Sequence, residues 1–141
     1  MGDIDLKLLI GMHRNVSAID KKTSKIASEY GLSLSQFAVL EVLYSKGDMS
    51  VGMIRERILS SAGTIPVIIN NLVKMNYVRR LSDESDRRVC IISLTDKGRE
   101  IISELAPKNE KMIEEHMSVL TDNEKNDLLF LMKKLGGKLN E

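Results

Sequence analysis

The sequence predicts a mainly α-helical fold carrying one small β-hairpin. Three observations support this. Apolar residues recur at helical spacing towards both ends of the chain. Near the middle, two runs of strand-forming residues flank the polar tip Asp83-Glu84-Ser85-Asp86-Arg87-Arg88. Between these regions, Ser and Thr stand where helices need N-caps, and Gly or Asn where they need to stop.

The first helix is predicted from about Asp3 to Tyr30, where Leu6, Leu9, Ile10, His13, Val16, Ile19 and Ile26 keep the helical period and Gly31 supplies the C-cap. A helix of that length in 141 residues needs a partner surface, either the C-terminal helix or a second subunit. Ser33 or Ser35 caps a second helix with Phe37, Leu40, Val42, Leu43 and Tyr44 on a broad apolar face, and Gly47 stops it. Ser50 caps a short third helix carrying Met53, Ile54, Ile58 and Leu59.

Ser60-Ser61 break that helix and offer a cap for a fourth. Its apolar positions are Ile65, Ile68, Ile69, Leu72 and Met75, and Asn76 stands where a left-handed residue ends a helix. The hairpin follows, with Cys90, Ile92 and Leu94 alternating against Val89, Ile91 and Ser93. Thr95 caps a fifth helix, in which Pro107 predicts a kink or break. Thr121 and Glu124 form a capping box for the last helix, whose apolar residues are Leu128, Leu129, Leu131, Met132 and Leu135.

Composition excludes several functions. Net charge is only +1, but the window from Ser50 to Glu100 holds nine bases against six acids, a central excess that hints at a polyanion partner. Aromatics are 4% with no Trp, which disfavours a protein that stacks single-stranded bases. The single cysteine permits no internal disulfide and points to a reducing, cytoplasmic compartment. No apolar run is long enough to span a membrane. No phosphate loop, zinc motif or nucleophile–His–acid set is present, so the chain reads as a non-enzyme without cofactor or metal.

Two short helices, a tight turn and a polar-faced helix form a helix-turn-helix pattern, and the hairpin directly after it makes the pattern a winged helix. The width of a helix suits the major groove of duplex DNA. A hairpin beside it can send a basic side chain into the adjacent minor groove. Arg87 and Arg88 are placed for that, Arg88 foremost, and Asp86 is placed to orient one of them rather than to touch DNA. On the fourth helix, Ser61, Ala62 and Gly63 allow a close approach to the backbone, and Thr64 can donate to a phosphate or base. Pro66 and Val67 offer apolar surface to a thymine methyl. Asn70 and Asn71 can reach an adenine edge or a phosphate, and Lys74 a phosphate. With no Arg on this helix, an A/T-leaning site is expected.

The stretches "SLSQFAVLEVL", "GTIPVIINNLVKMNYVRR" and "DESDRRVCIISLTDKGRE" resemble the MarR family of transcription regulators, most densely from Leu34 to Ile101. The resemblance implies a single domain with a DNA-binding region at about 34–100 and dimerisation helices at about 3–30 and 101–141. It further implies a homodimer on a pseudo-palindromic operator; the chain reads as a repressor, with a ligand-independent regulator, an activator or a winged-helix protein-interaction module as the alternatives. Ile4, Leu8 and Met12 at one end and Leu131, Leu135 and Leu139 at the other would supply the apolar dimer surface. A ligand or redox input is also implied, at the junction of the dimer helices and the reading head; a small aromatic or phenolic effector is the candidate, with Met12, His13 and Phe37 as its lining.

Two features depart from the family. Pro66 and Val67 occupy positions where it commonly has a hydroxyl and a basic residue, and no cysteine stands in the first helix for oxidant sensing. Cys90 shares its strand face with Ile92 and Leu94 and reads as a buried structural thiol. His13 reads as an interface or core histidine, with ligand binding as the alternative.

Overall fold

A computed structural model describes residues 2–58 and 64–137. Its elements, in chain order, are α1 (Asp3–Ser28), α2 (Leu34–Lys46), β1 (Met49–Ser50), α3 (Val51–Arg57), α4 (Ile65–Lys74), β2 (Val78–Ser82), β3 (Cys90–Leu94), α5 (Asp96–Met117) and α6 (Asp122–Leu135). The caps anticipated for α2, α3, α5 and α6 are in place, with Ser33 rather than Ser35 serving α2, while α4 has Thr64 at its N-cap position. Ser33 and Gln36 form a reciprocal capping box at the start of α2, as Thr121 and Glu124 do at α6. Ser50 accepts from the Met53 amide and Thr95 from the Gly98 amide. Each cap satisfies an amide that the helix itself leaves unpaired, and is worth ~1 kcal/mol. Gly31, Gly47 and Asn76 take the left-handed conformations that end α1, α2 and α4.

The hairpin belongs to a three-stranded antiparallel sheet in the order β1-β3-β2. The two-residue strand β1 pairs Met49 with Ile92 and Ser50 with Ile91. It is too short to leave a period-2 signal in the sequence. Val78 pairs with Leu94 and Arg80 with Ile92, which sets the register of the wing. The core lies between this sheet and helices α2 to α5. Val39, Leu40, Ile54, Ile65, Leu72, Ile92, Ile102 and Leu105 are completely buried there.

Pro107 does not break the chain, because one helix runs from Asp96 through Pro107 to Met117. A proline inside a helix costs ~3 kcal/mol or more through its lost amide and its clash with the preceding turn. Packing on both sides of it outweighs that cost. Ile102, Leu105 and Ala106 are buried before it, and Asn109 is buried after it. Asn109 accepts a hydrogen bond from the Thr23 hydroxyl of α1 at 2.7 Å, so α5 is anchored to α1 just past the proline.

Cys90 is half-buried rather than buried. It begins β3, next to the wing, where the core covers only one side of the strand. Ser60, Ser61, Ala62 and Gly63, expected to break α3 and open the fourth helix, lie outside the described residues, as does Leu139.

The terminal helices are different. α1 buries only Thr23 and Ala27, both in its second half. α6 buries no residue. Ile4, Leu6, Leu8, Leu9, Ile10 and Val16 of α1 are exposed, as are Leu128, Leu129, Phe130, Leu131, Met132 and Leu135 of α6.

Candidate nucleic-acid interface

α4 divides cleanly into two faces. Ile65, Ile69 and Leu72, at i, i+4 and i+7, are buried against the core. Pro66, Asn70 and Lys74, at i, i+4 and i+8, form an exposed ridge, with Val67 and Asn71 beside it. Val67 is 57% exposed. Thr64 is exposed at the N-cap position, and Pro66 follows in the first turn, where a missing amide costs nothing. Among the described residues, every α4 position expected to face DNA is on this open side. Ser61 and Gly63, the remaining two candidates, lie outside the described residues.

The wing tip is held by its own acids. Asp83 accepts from the Ser85 amide at 2.9 Å and the Ser85 hydroxyl at 2.8 Å, forming an Asx turn. The Asp83 amide donates to the Val89 carbonyl, closing the loop. Asp86 accepts from the Arg88 amide at 3.0 Å and from Arg88 Nε at 3.1 Å, while its second oxygen accepts from Nη2 at 3.2 Å. The Arg88 side chain is nonetheless 90% exposed. A fork-on-carboxylate pair thus fixes a guanidinium that otherwise faces water. Arg88 hydrogen bonds, side chain first and then backbone, hold the Asp86 carboxyl below the usual carboxylate value. The Ser85 amide and hydroxyl do the same for Asp83. Arg87 is exposed beside them.

A second set of contacts ties α4 to the wing and to α5. The Arg80 guanidinium of β2 donates to the Asn70 side-chain carbonyl of α4. Thr95 donates its hydroxyl to the Asn76 carbonyl at 2.6 Å and its amide to the Tyr77 carbonyl at 3.0 Å. Lys97 donates to the Met75 carbonyl at 3.3 Å and lies 5.1 Å from the Tyr77 ring centre. A Cβ at Gly98 would fall 2.0 Å from the Tyr77 carbonyl oxygen, so only glycine permits this approach. The Leu94-Thr95-Asp96-Lys97-Gly98 stretch therefore clamps the C-terminus of α4 onto the start of α5. The sequence singles out the motif, but not this task. The sequence carries no local signal for Arg80, because its partner Asn70 is set by how β2 meets α4. Arg80 follows buried Val78 by two, on the strand face turned towards α4.

The expected effector lining is not assembled into one cavity. His13, Arg14, Ser17, Ala18 and Lys21 line an open concavity of about 450 Å³ on α1, and His13 is exposed. Phe37 is a core residue at 3% exposure, and Met12 is half-buried outside that concavity. A second hollow of about 260 Å³ lies over the clamp, lined by Tyr77, Lys97, Glu100, Ile101 and Glu104. His116 bridges α5 to α1 through Lys22 at 3.1 Å and Asn15 at 3.4 Å. Among the described residues, no group of three His, Cys, Asp or Glu could hold a metal ion, and no helix is long and apolar enough to cross a membrane.

An open-faced helix beside a hairpin with an ordered arginine tip is the geometry of a duplex reader. The family model of the transcriptional regulators SarA/Rot matches residues 21–105 of the chain. The chain belongs to the MarR/SarA type of winged-helix transcriptional regulators. Its relatives regulate transcription rather than catalyse reactions, and it is a DNA-binding regulator of that type.

The regulator MhqR of Bacillus subtilis is 32% identical over 96% of this chain and 94% of its own length. The fold is similar to that of AbsC, a MarR family regulator from Streptomyces coelicolor. The two superpose with a TM-score of 0.86 at 21% identity, covering 99% and 96% of the respective chains. It is also similar to BpsR from Bordetella bronchiseptica, whose DNA binding is regulated by 6-hydroxynicotinic acid. There the TM-score is 0.77 at 22% identity, over 89% of each chain.

Proposed function

We propose that this MarR/SarA regulator acts as a homodimer, binds a pseudo-palindromic operator as a cytoplasmic repressor, and is released by a small aromatic or phenolic effector. The observation that carries the dimer is the dozen large apolar side chains left exposed on α1 and α6 of one chain. An exposed apolar surface of that size marks an association site. Full burial of each such side chain is worth roughly 1.5–3 kcal/mol, so pairing two copies through these helices recovers a large free energy. The division of labour follows, with residues at about 34–100 reading DNA and the helices at about 3–30 and 101–141 joining the copies.

DNA contact is divided between two probes. The α4 ridge of Thr64, Pro66, Val67, Asn70, Asn71 and Lys74 enters the major groove, preceded by Ser61 and Gly63. Arg87 and Arg88 lie along the flanking minor groove, with Asp86 holding Arg88 in advance of binding. Fixing a loose arginine costs about 2 kcal/mol of rotamer entropy, and the Asp86 fork removes part of that cost from the binding step. The BpsR precedent supports an aromatic acid as the effector class. Such a ligand acts by preferring a dimer geometry whose two α4 helices do not match one turn of DNA.

Selection of bound sites from random duplexes tests this reading. The expected result is an inverted repeat with half-sites about 10 bp apart. Addition of small aromatic acids to the bound complex should then release the DNA. Recovery of no preferred duplex would exclude the proposed role.

A further inference from the structure

The Arg80–Asn70 contact extends the proposed reading of DNA by α4 and rests on it. Asn70 stands at the centre of the exposed ridge, one turn from Pro66 and one turn from Lys74. An asparagine amide can present both a donor and an acceptor, the pair that matches adenine N7 and N6. Here, however, the Asn70 carbonyl accepts a charge-assisted hydrogen bond from the Arg80 guanidinium. Covalent geometry puts Nδ2 on the other branch of the amide, away from Arg80.

Arg80 is fixed in turn by the sheet. It pairs with Ile92 in the β2–β3 register and projects on the face of buried Val78, towards α4. We propose that Arg80 is a positioning residue for base recognition, turning the Asn70 carbonyl to the wing and its Nδ2 donors to the base edge. Asn70 then reads a base acceptor through Nδ2, such as a purine N7, guanine O6 or thymine O4, rather than setting its donor and acceptor together against N7 and N6 of adenine. The operator base facing Asn70 is therefore one that offers a major-groove acceptor, which disfavours cytosine at that position.

The test is site selection from random duplexes with the full chain and three variants: Asn70→Ala, Arg80→Met and the double variant. Arg80 is exposed on an edge strand, so melting temperature should stay at the wild-type value. Arg80→Met should reduce discrimination roughly fivefold or more at the same operator position that Asn70→Ala flattens. The double variant should lose nothing further there. Preference at that position left intact by Arg80→Met would overturn the proposal. So would equal weakening on every duplex with a salt slope smaller by about 1, the mark of a plain phosphate contact. In both cases the effect of Asn70→Ala would survive, and with it the proposed interface. Unchanged selection by Asn70→Ala would remove the interface role of this residue together with the proposal.

Discussion

The reading head and the terminal helices of this chain solve the problem of apolar surface in opposite ways. In the head, the apolar stripe of each helix meets another element, and polar contacts such as Thr95 on Asn76 and Lys97 on Met75 fix the joints. At the ends, α6 buries nothing and the first half of α1 buries nothing. One chain is enough to shape the head, and the proposed dimer assigns to the open helices the task of holding two heads at a set distance. The part that determines affinity for one half-site and the part that determines spacing can therefore fail separately.

The largest effect that would break this contrast comes from charging the open helix. Leu131→Glu with Leu135→Glu should convert the dimer to monomers and reduce operator affinity by 100-fold or more, since avidity from the second half-site is lost. Circular dichroism should still report a folded head. Next is Gly98→Ala, which puts a methyl into the Tyr77 carbonyl and should destabilise the head by roughly 3 kcal/mol. Denaturant unfolding measures that loss, and dimerisation of the folded fraction should persist.

Smaller changes sharpen the account of the probes. Arg87→Ala with Arg88→Ala should weaken binding roughly tenfold and lower the salt slope by about 1 to 2, without altering the melting temperature. Asp86→Asn should weaken it only about threefold, by releasing Arg88 before DNA arrives. The pH dependence has a definite sign. Because the Asp86 carboxyl is held below its ordinary value, its fork is intact above the usual carboxylate range and is lost as pH falls through the lowered value. Backbone amide shifts of the wing should therefore be constant from about pH 8 to 5 and move below about pH 4.

What the sequence reveals follows the range of the interaction. Caps at Ser50, Thr95 and Thr121 act within three residues and are legible, and the cap of α2 is legible to within Ser33 or Ser35. The Asp86–Arg88 fork spans two residues and was legible as well. Pro107 does not break α5, because burial of Ile102, Leu105 and Asn109 against other helices outweighs a local rule. The short strand β1, the Arg80–Asn70 contact and the clash that Gly98 avoids depend on where elements meet, and periodicity carries no record of that. Likewise, the sequence does not show that, of the candidate lining Met12, His13 and Phe37, Phe37 packs in the core of the chain and His13 is exposed.

Sedimentation of the chain with a duplex bearing the selected site tests the central claim most directly. Two chains per duplex, binding together and losing affinity when half a helical turn is inserted between the half-sites, is the predicted result. One chain per duplex, or indifference to the insertion, would contradict it.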